Sequence, residues 1–165
     1  MNEFTGIYHS PLGKLTIKAT DENVTALLFD KNKPVQEIVE LSNDHPLINK
    51  CITQLQEYFE GKRKVFELPL QQPGTSFQLK VWNELERIDY GKTISYMELS
   101  KRIGDVKAIR AVGTTNGKNN IAIIVPCHRV IGSNGELTGY GGELWRKKWL
   151  LDHENKYANG VQTLF

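Results

Sequence analysis

Short apolar and β-branched runs alternate with turn residues at the start of the chain. IYHSPLGKLTIKATDENVTALLFD predicts strand, turn, strand, turn, strand, with Pro11 and Gly13 in the first turn and Asp21, Glu22 and Asn23 in the second. The period then changes. In HPLINKCITQLQEYFEGK the residues Leu47, Ile48, Cys51, Ile52, Leu55, Tyr58 and Phe59 recur at helical spacing, so Cys51 falls on the buried stripe as a small core residue. VFELPLQQPG reads as a short strand running into an extended linker, because Pro69 and Pro73 discourage helix. The boundary near residue 73 divides the chain into an N-terminal α/β lobe, 1–72, and a second lobe, 73–165.

The second lobe is helical by the same count. TSFQLKVWNELERI has a Ser/Thr start and apolar residues at Phe77, Val81, Trp82, Leu85 and Ile88, predicting an amphipathic helix that Gly91 ends. Ser95 and Glu98 in SYMELSKRIG have the spacing of a capping box and open a short helix toward Gly104. Helical periodicity resumes after Asp105 through Val106, Ile109 and Val112, and the tight connection resembles a helix-turn-helix. The second of these helices has little bulk outside its apolar stripe: Ala108, Ala111, Gly113, Thr114 and Thr115. Gly113 inside a helix costs ~1 kcal/mol relative to alanine, which calls for either close approach to a partner or tight packing against another helix. A turn-rich segment, GSNGELTGYGG, precedes a final helix in ELWRKKWLLDHE, whose Leu144, Trp145, Trp149, Leu150 and Leu151 are expected on one apolar face; the tail after Asn155 is expected to be loosely held.

These elements predict an α+β fold. A small N-terminal lobe with an antiparallel sheet and helix is followed by a mostly helical C-terminal lobe containing the helix-turn-helix. With 39% hydrophobic and 24% charged residues in 165, the composition is that of an ordinary globular protein. The N-terminus lacks a signal-like apolar region, and the longest aliphatic run, Ile121 to Val125, is too short for a bilayer, so a cytoplasmic, membrane-free protein is expected. The net charge of +2 is unevenly spread. Residues 1–90 carry 10 Lys/Arg against 13 Asp/Glu, and residues 91–165 carry 11 against 6. The basic half raises the expectation of a polyanionic partner, although a solvated surface produces the same imbalance.

That half also contains IVPCHRV, Ile124 to Val130. A thiol has a pKa of about 8.5 and is a poor nucleophile until a base or cation favours thiolate. His128 is adjacent to Cys127, but neighbours in an extended segment point to opposite sides, so a bend or bridging water has to close the gap. A base of this kind is commonly oriented by a carboxylate, for which Glu154 is the candidate. Glu154 is placed at the C-terminal end of the last helix, where the macrodipole disfavours a carboxylate by ~0.3–1 kcal/mol if exposed; a bond to His128 would offset that, and an ordinary surface glutamate is the plain alternative. No second Cys/His pair stands at ligand spacing, so no metal is expected. A nucleophile and a buried structural cysteine both remain open for Cys127.

PCHRV, followed by GYGG and RKKWLLDHE and preceded by ISYMEL and RAVGTTNGKN, closely resembles the O6-alkylguanine-DNA alkyltransferases. The likeness is dense over about residues 73–154; in the N-terminal lobe it extends only to the pattern of three strands and a helix. It implies a direct-reversal DNA repair protein that takes an alkyl group from O6 of a flipped-out guanine, with O4 of thymine as a second candidate atom, onto its own cysteine and is consumed. The resemblance makes Cys127 the acceptor, His128 its base through a water, and Glu154 the residue orienting the histidine. Tyr96 matches the tyrosine serving guanine N3, with Ser95 beside it. Val130, Tyr140, Gly141 and Gly142 match the pocket lining, and Asn119 the asparagine tying the helix-turn-helix to the active-site segment. Arg110 matches the arginine that fills the vacated base stack, while Ala111, Gly113 and Thr114 let its helix lie in the minor groove of double-stranded DNA. No cofactor is implied, and a monomer is expected.

Two positions depart from the family pattern. Asn120 stands where proline usually follows the asparagine, and Gly141 where serine is common, which removes one hydroxyl from the O6 side. The ligands of the zinc site that some relatives carry in the N-terminal lobe have no counterpart, since Cys51 lies alone on its helix. Two other functions compete: a non-catalytic binder of alkylated DNA, which the presence of Cys127 argues against, and a thiol hydrolase acting on a small substrate, which Arg110 and the helix-turn-helix argue against.

Overall fold

The computed structural model describes residues 2–30, 40–140 and 143–160. It contains two compact units, residues 1–72 and 73–165. In the first, strands β1 (Phe4–Ser10), β2 (Gly13–Ala19) and β3 (Val24–Phe29) form an antiparallel meander in that order. Leu15, Ile17 and Ala19 alternate inward on β2, fixing its register against Tyr8 on one side and Phe29 on the other. Helix α1 (Pro46–Phe59) starts where the His45 side chain accepts from the Leu47 amide, with proline at its first position, and buries Ile48, Cys51, Leu55 and Tyr58. Cys51 is fully buried, and burial pushes its thiol up to about 12, so it is an inert core residue.

The short strand expected at Val65 is absent. Residues 65–69 run as irregular chain, and only Leu70 makes an isolated bridge, to Val24. The segment is instead held by its backbone: Val24 donates to Pro69 O and Gln71 donates to Val24 O, while the Gln54 side chain both donates to and accepts from the main chain of Glu67.

The second unit begins with α2 (Ser76–Leu85), opened by a complete capping box between Thr75 and Gln78. It ends at Leu85, earlier than the periodicity through Ile88 predicts; hydrogen-bonded turns carry the chain to Gly91, which adopts φ +79°. Strand β4 (Ile94–Ser95) pairs in parallel with β5 (Val130–Ile131). Ser95 caps α3 (Tyr96–Arg102) by accepting from the Glu98 amide, but the Glu98 carboxylate turns to Arg102, so half of the box forms. Gly104 at φ +87° and the Asp105 cap turn the chain through a 3-10 segment, Val106–Ala108, into α4 (Ile109–Gly117), giving the helix-turn-helix. Trp82 of α2 donates to Thr115 O of α4 across the core.

The last helix, α5 (Leu144–Asn159), differs from expectation in length and in face. It continues through residue 155 to Asn159 and closes on left-handed Gly160. Leu144 and Trp145 are half exposed, and the buried side carries Arg146, Lys147, Leu150, Leu151, His153, Glu154 and Asn155. Among the described residues no helix is long and apolar enough to cross a membrane.

Candidate active site

Residues 121–130 are buried without a break. Ile123 in this run takes φ +69°, an unfavourable region for a β-branched residue that only surrounding packing can hold. The chain then turns through a 3-10 segment, Cys127–Arg129, so the segment is bent, one of the two arrangements the sequence left open. This puts the Cys127 and His128 side chains inside the same buried region.

His128 Nε2 lies 2.7 Å from Glu154 Oε2, with both side chains almost fully shielded. A carboxylate can only accept, so Nε2 carries the proton and Nδ1 presents its lone pair; Nδ1 has no hydrogen-bond partner among the described residues. Burial holds the imidazole below its ordinary value, against the upward pull of Glu154. Burial alone would push the Glu154 carboxyl up, but the charges and hydrogen bonds of His128 and Arg129 outweigh it and hold the group well below the usual carboxylate range. Glu154 is therefore an ionised, oriented carboxylate with a turn of α5 still to follow, and neither the surface glutamate nor the helix-end group of the sequence argument.

Arg129 makes that possible. Its Nε donates to Glu154 Oε1 at 2.8 Å and Nη2 to Oε2 at 3.2 Å, a forked pair, while Nη1 donates to Ile88 O. Lys147 is also a buried cation, fully shielded, with Nζ 2.7 Å from Val130 O, 2.8 Å from Thr138 O and 3.5 Å from the Tyr96 hydroxyl. Burial lowers its pKa to about 8. The Cys127 thiol is pushed up by burial and pulled back by a hydrogen bond from Asn119, the charge of Lys147 and nearby backbone amides, leaving it a thiol at rest. Neither Lys147 nor Arg129 was singled out from the sequence. A signal existed for Lys147, which shares the i, i+3, i+4, i+7 stripe of α5 with Leu150, Leu151 and Glu154.

The other expected site residues fall into two groups. Asn119 bonds Ile121 and Val125 through its amide and so fastens the end of α4 to the run before Cys127. Tyr96, half-buried, donates to Thr138 O at 3.1 Å. Tyr140 is partly exposed with its hydroxyl oxygen shielded; burial and the nearby Cys127 push its pKa up. Val130 is buried, its carbonyl held by Lys147. Gly141 and Gly142 lie outside the described residues. Arg110, Ala111 and Thr114 are exposed on α4, and Ser95 is partly exposed at the start of α3. Gly113 faces the Tyr96 ring, where an alanine Cβ would sit at ordinary contact distance, so packing within the chain does not require glycine there. Among the described residues no group of three or more His, Cys, Asp or Glu could hold a metal.

Two family models match: 6-O-methylguanine DNA methyltransferase, ribonuclease-like domain, over residues 4–72, and 6-O-methylguanine DNA methyltransferase, DNA binding domain, over residues 76–156. The chain is 46% identical over 160 residues to the constitutive methylated-DNA–protein-cysteine methyltransferase of Bacillus subtilis, covering 93% of this chain and 96% of that one. It is 43% identical to the methyltransferase of that name from Methanosarcina acetivorans, over 92% and 97% of the two chains. Among solved structures, the Mycobacterium tuberculosis O6-methylguanine methyltransferase superposes with TM-score 0.81 at 41% identity, covering 95% of each chain. The enzyme of that organism in complex with DNA superposes with TM-score 0.84 at 40% identity, covering 94% of each. The chain belongs to the 6-O-methylguanine DNA methyltransferase family.

Proposed function

We propose that this protein repairs alkylated DNA directly, transferring the alkyl group from O6 of guanine in double-stranded DNA to Sγ of Cys127, once per chain. The observation that carries the chemistry is the shielded His128–Glu154 pair, which leaves Nδ1 with a free lone pair on the residue that follows the buried thiol. Because Cys127 is a thiol at rest, its proton must leave as the sulfur attacks; Nδ1 receives it through a water, and Glu154 stabilises the imidazolium that forms. The S–C bond forms as the C–O6 bond breaks, and the electron pair stays on the guanine. Tyr96 donates a proton to N3 of that leaving base, and Lys147 steadies the negative charge that develops on sulfur as its proton leaves.

Arg110 fills the stack left by the extruded nucleotide, offsetting part of the few kcal/mol that flipping costs, and the small residues of α4 enter the minor groove. Residues 1–72 support the fold and residues 73–165 bind DNA and accept the alkyl group. The reading has the protein acting as a monomer in the cytoplasm, without metal or organic cofactor. A thioether lacks the activated centre through which water regenerates a covalent enzyme intermediate, so the alkylated protein is an end product.

Mixing the protein with duplex DNA containing O6-methylguanine and measuring intact mass tests this. One methyl group per chain, on the peptide containing IVPCHRV, is expected, and none in Cys127→Ala, which should still bind DNA. Turnover beyond one equivalent with Cys127 unmodified would favour a thiol hydrolase; binding without transfer would favour a lesion binder.

A further inference from the structure

Glu154 serves two partners at once. Its Oε2 accepts from His128 Nε2 at 2.7 Å and from Arg129 Nη2 at 3.2 Å, while Oε1 accepts from Arg129 Nε at 2.8 Å. The side chains of His128, Arg129 and Glu154 are 0%, 8% and 1% exposed, and among the described residues no other carboxylate is buried. Arg129 is fixed in place. Its Nη1 donates to Ile88 O, and the Tyr90 ring centre lies 5.7 Å from the guanidinium carbon. A guanidinium does not give up its proton, so the one buried carboxylate already has its counter-charge, and a second positive charge on His128 would have none. Remove Arg129 and the balance reverses: imidazolium with Glu154 becomes the neutral combination, and a neutral imidazole leaves a bare buried carboxylate. An imidazolium carries hydrogen on both ring nitrogens and has no lone pair with which to take a proton.

We propose that Arg129 is a positioning residue for alkyl transfer that keeps His128 neutral at rest: by answering the charge of Glu154 it preserves the Nδ1 lone pair that receives the Cys127 proton. The proposal rests on the repair reading for the destination of that proton, whereas the state of the imidazole stands on the geometry. The titratable groups around His128 are Glu154 and Lys147 from α5 and Cys127 and Arg129 from its own turn; Tyr90 and Tyr140, which burial keeps uncharged, lie near Glu154. Burial acts downward on the proton affinity of the imidazole, Glu154 upward, and Arg129 and Lys147 downward again. Lys147 loses its charge above about pH 8, so Arg129 alone of the two cations holds through the whole range.

Nitrogen-15 NMR of the histidine rings tests this, together with single-turnover benzyl transfer from free O6-benzylguanine. In the unsubstituted protein at neutral pH, His128 should be neutral with its hydrogen on Nε2; an imidazolium there would overturn the proposal. Arg129→Gln should carry an imidazolium at neutral pH and transfer about tenfold more slowly, with the gap from wild type narrowing as rising pH removes the extra proton. Arg129→Lys keeps a charge without the fork, so its imidazole should stay neutral and its rate should remain within about threefold of wild type. A neutral His128 in Arg129→Gln, or a loss that is the same at every pH or the same in both variants, would overturn the proposal and leave Arg129 a packing residue. Thermal melts establish that the variants fold; should Arg129→Gln not fold, the ring state of the unsubstituted protein and of Arg129→Lys decides by the same criteria. Failure of the unsubstituted protein to take up the benzyl group would instead count against the repair reading and leave the ring measurement standing.

Discussion

Lys147 illustrates how a residue that belongs on a surface by type comes to serve a buried site. All three of its protons are directed at acceptors, two of them backbone carbonyls, which compensates an ammonium for its loss of water. Its pKa of about 8 gives its support for the Cys127 thiolate a definite pH range. Below about 8 the positive charge is present; as pH rises through that value the charge is lost. Lys147→Met should therefore slow transfer roughly tenfold near neutral pH, and the gap from wild type should narrow above pH ~8, where the wild-type lysine is also neutral. Single-turnover rates across pH check this, and a constant gap would mean that Lys147 acts through packing alone. The pairing of His128 with Glu154 was legible in the sequence because a histidine beside a cysteine calls for an orienting carboxylate, chemistry that residue types announce. Lys147 and Arg129 were not, because lysine and arginine are rarely buried.

Helices and strands were legible where burial is periodic, as in β1 to β3, α1 and the helix-turn-helix. The pairing of β4 with β5 was not, because two-residue parallel strands distant in sequence leave no period to read. The face of α5 was misjudged for a related reason: its buried stripe carries four charged or imidazole groups, among them Lys147 held by backbone carbonyls and Glu154 held by His128 and Arg129, so hydropathy pointed at Trp145 in their place. On α4 the exposed Arg110 and the inward Gly113 separate two tasks of one element. Arg110→Ala should slow repair of duplex DNA much more than dealkylation of free O6-benzylguanine, since a free base leaves no gap in a stack; equal losses would put Arg110 in the pocket or in the fold. Gly113→Ala has room within the chain and should raise stability by ~0.5–1 kcal/mol, as expected for removing glycine from a helix interior. In the repair reading the added methyl thickens the helix that enters the minor groove, so duplex repair should slow even as the melting temperature rises.

For the molecule as a whole, the buried triad of His128, Glu154 and Arg129 links stability to pH. The folded His128 titrates below its ordinary value of about 6.5, and Glu154 well below about 4.3. As pH falls through each ordinary value, unfolded chains take up a proton that folded chains refuse, so both contributions are complete above pH ~6.5 and are lost progressively on acidification. Thermal melts from pH 7 to 4 should show a falling midpoint, with Glu154→Gln flattening the steeper part below ~4.3. Alkylation loads the same region from within. Cys127 is 6% exposed, and every residue from 121 to 130 is buried. A retained methyl group adds volume where the chain already holds Ile123 in an unfavourable conformation, and it leaves the sulfur without a proton to give or a charge for Lys147 and Asn119 to hold. Overpacking a core typically costs ~1–3 kcal/mol, which for a chain of this size lowers the midpoint by several degrees. Stoichiometrically methylated protein should accordingly melt below the free protein, and ethylated protein lower still, by differential scanning calorimetry under the same buffer. An unchanged midpoint would mean that the acceptor pocket has room for the product, and that the spent protein carries no structural mark of having reacted.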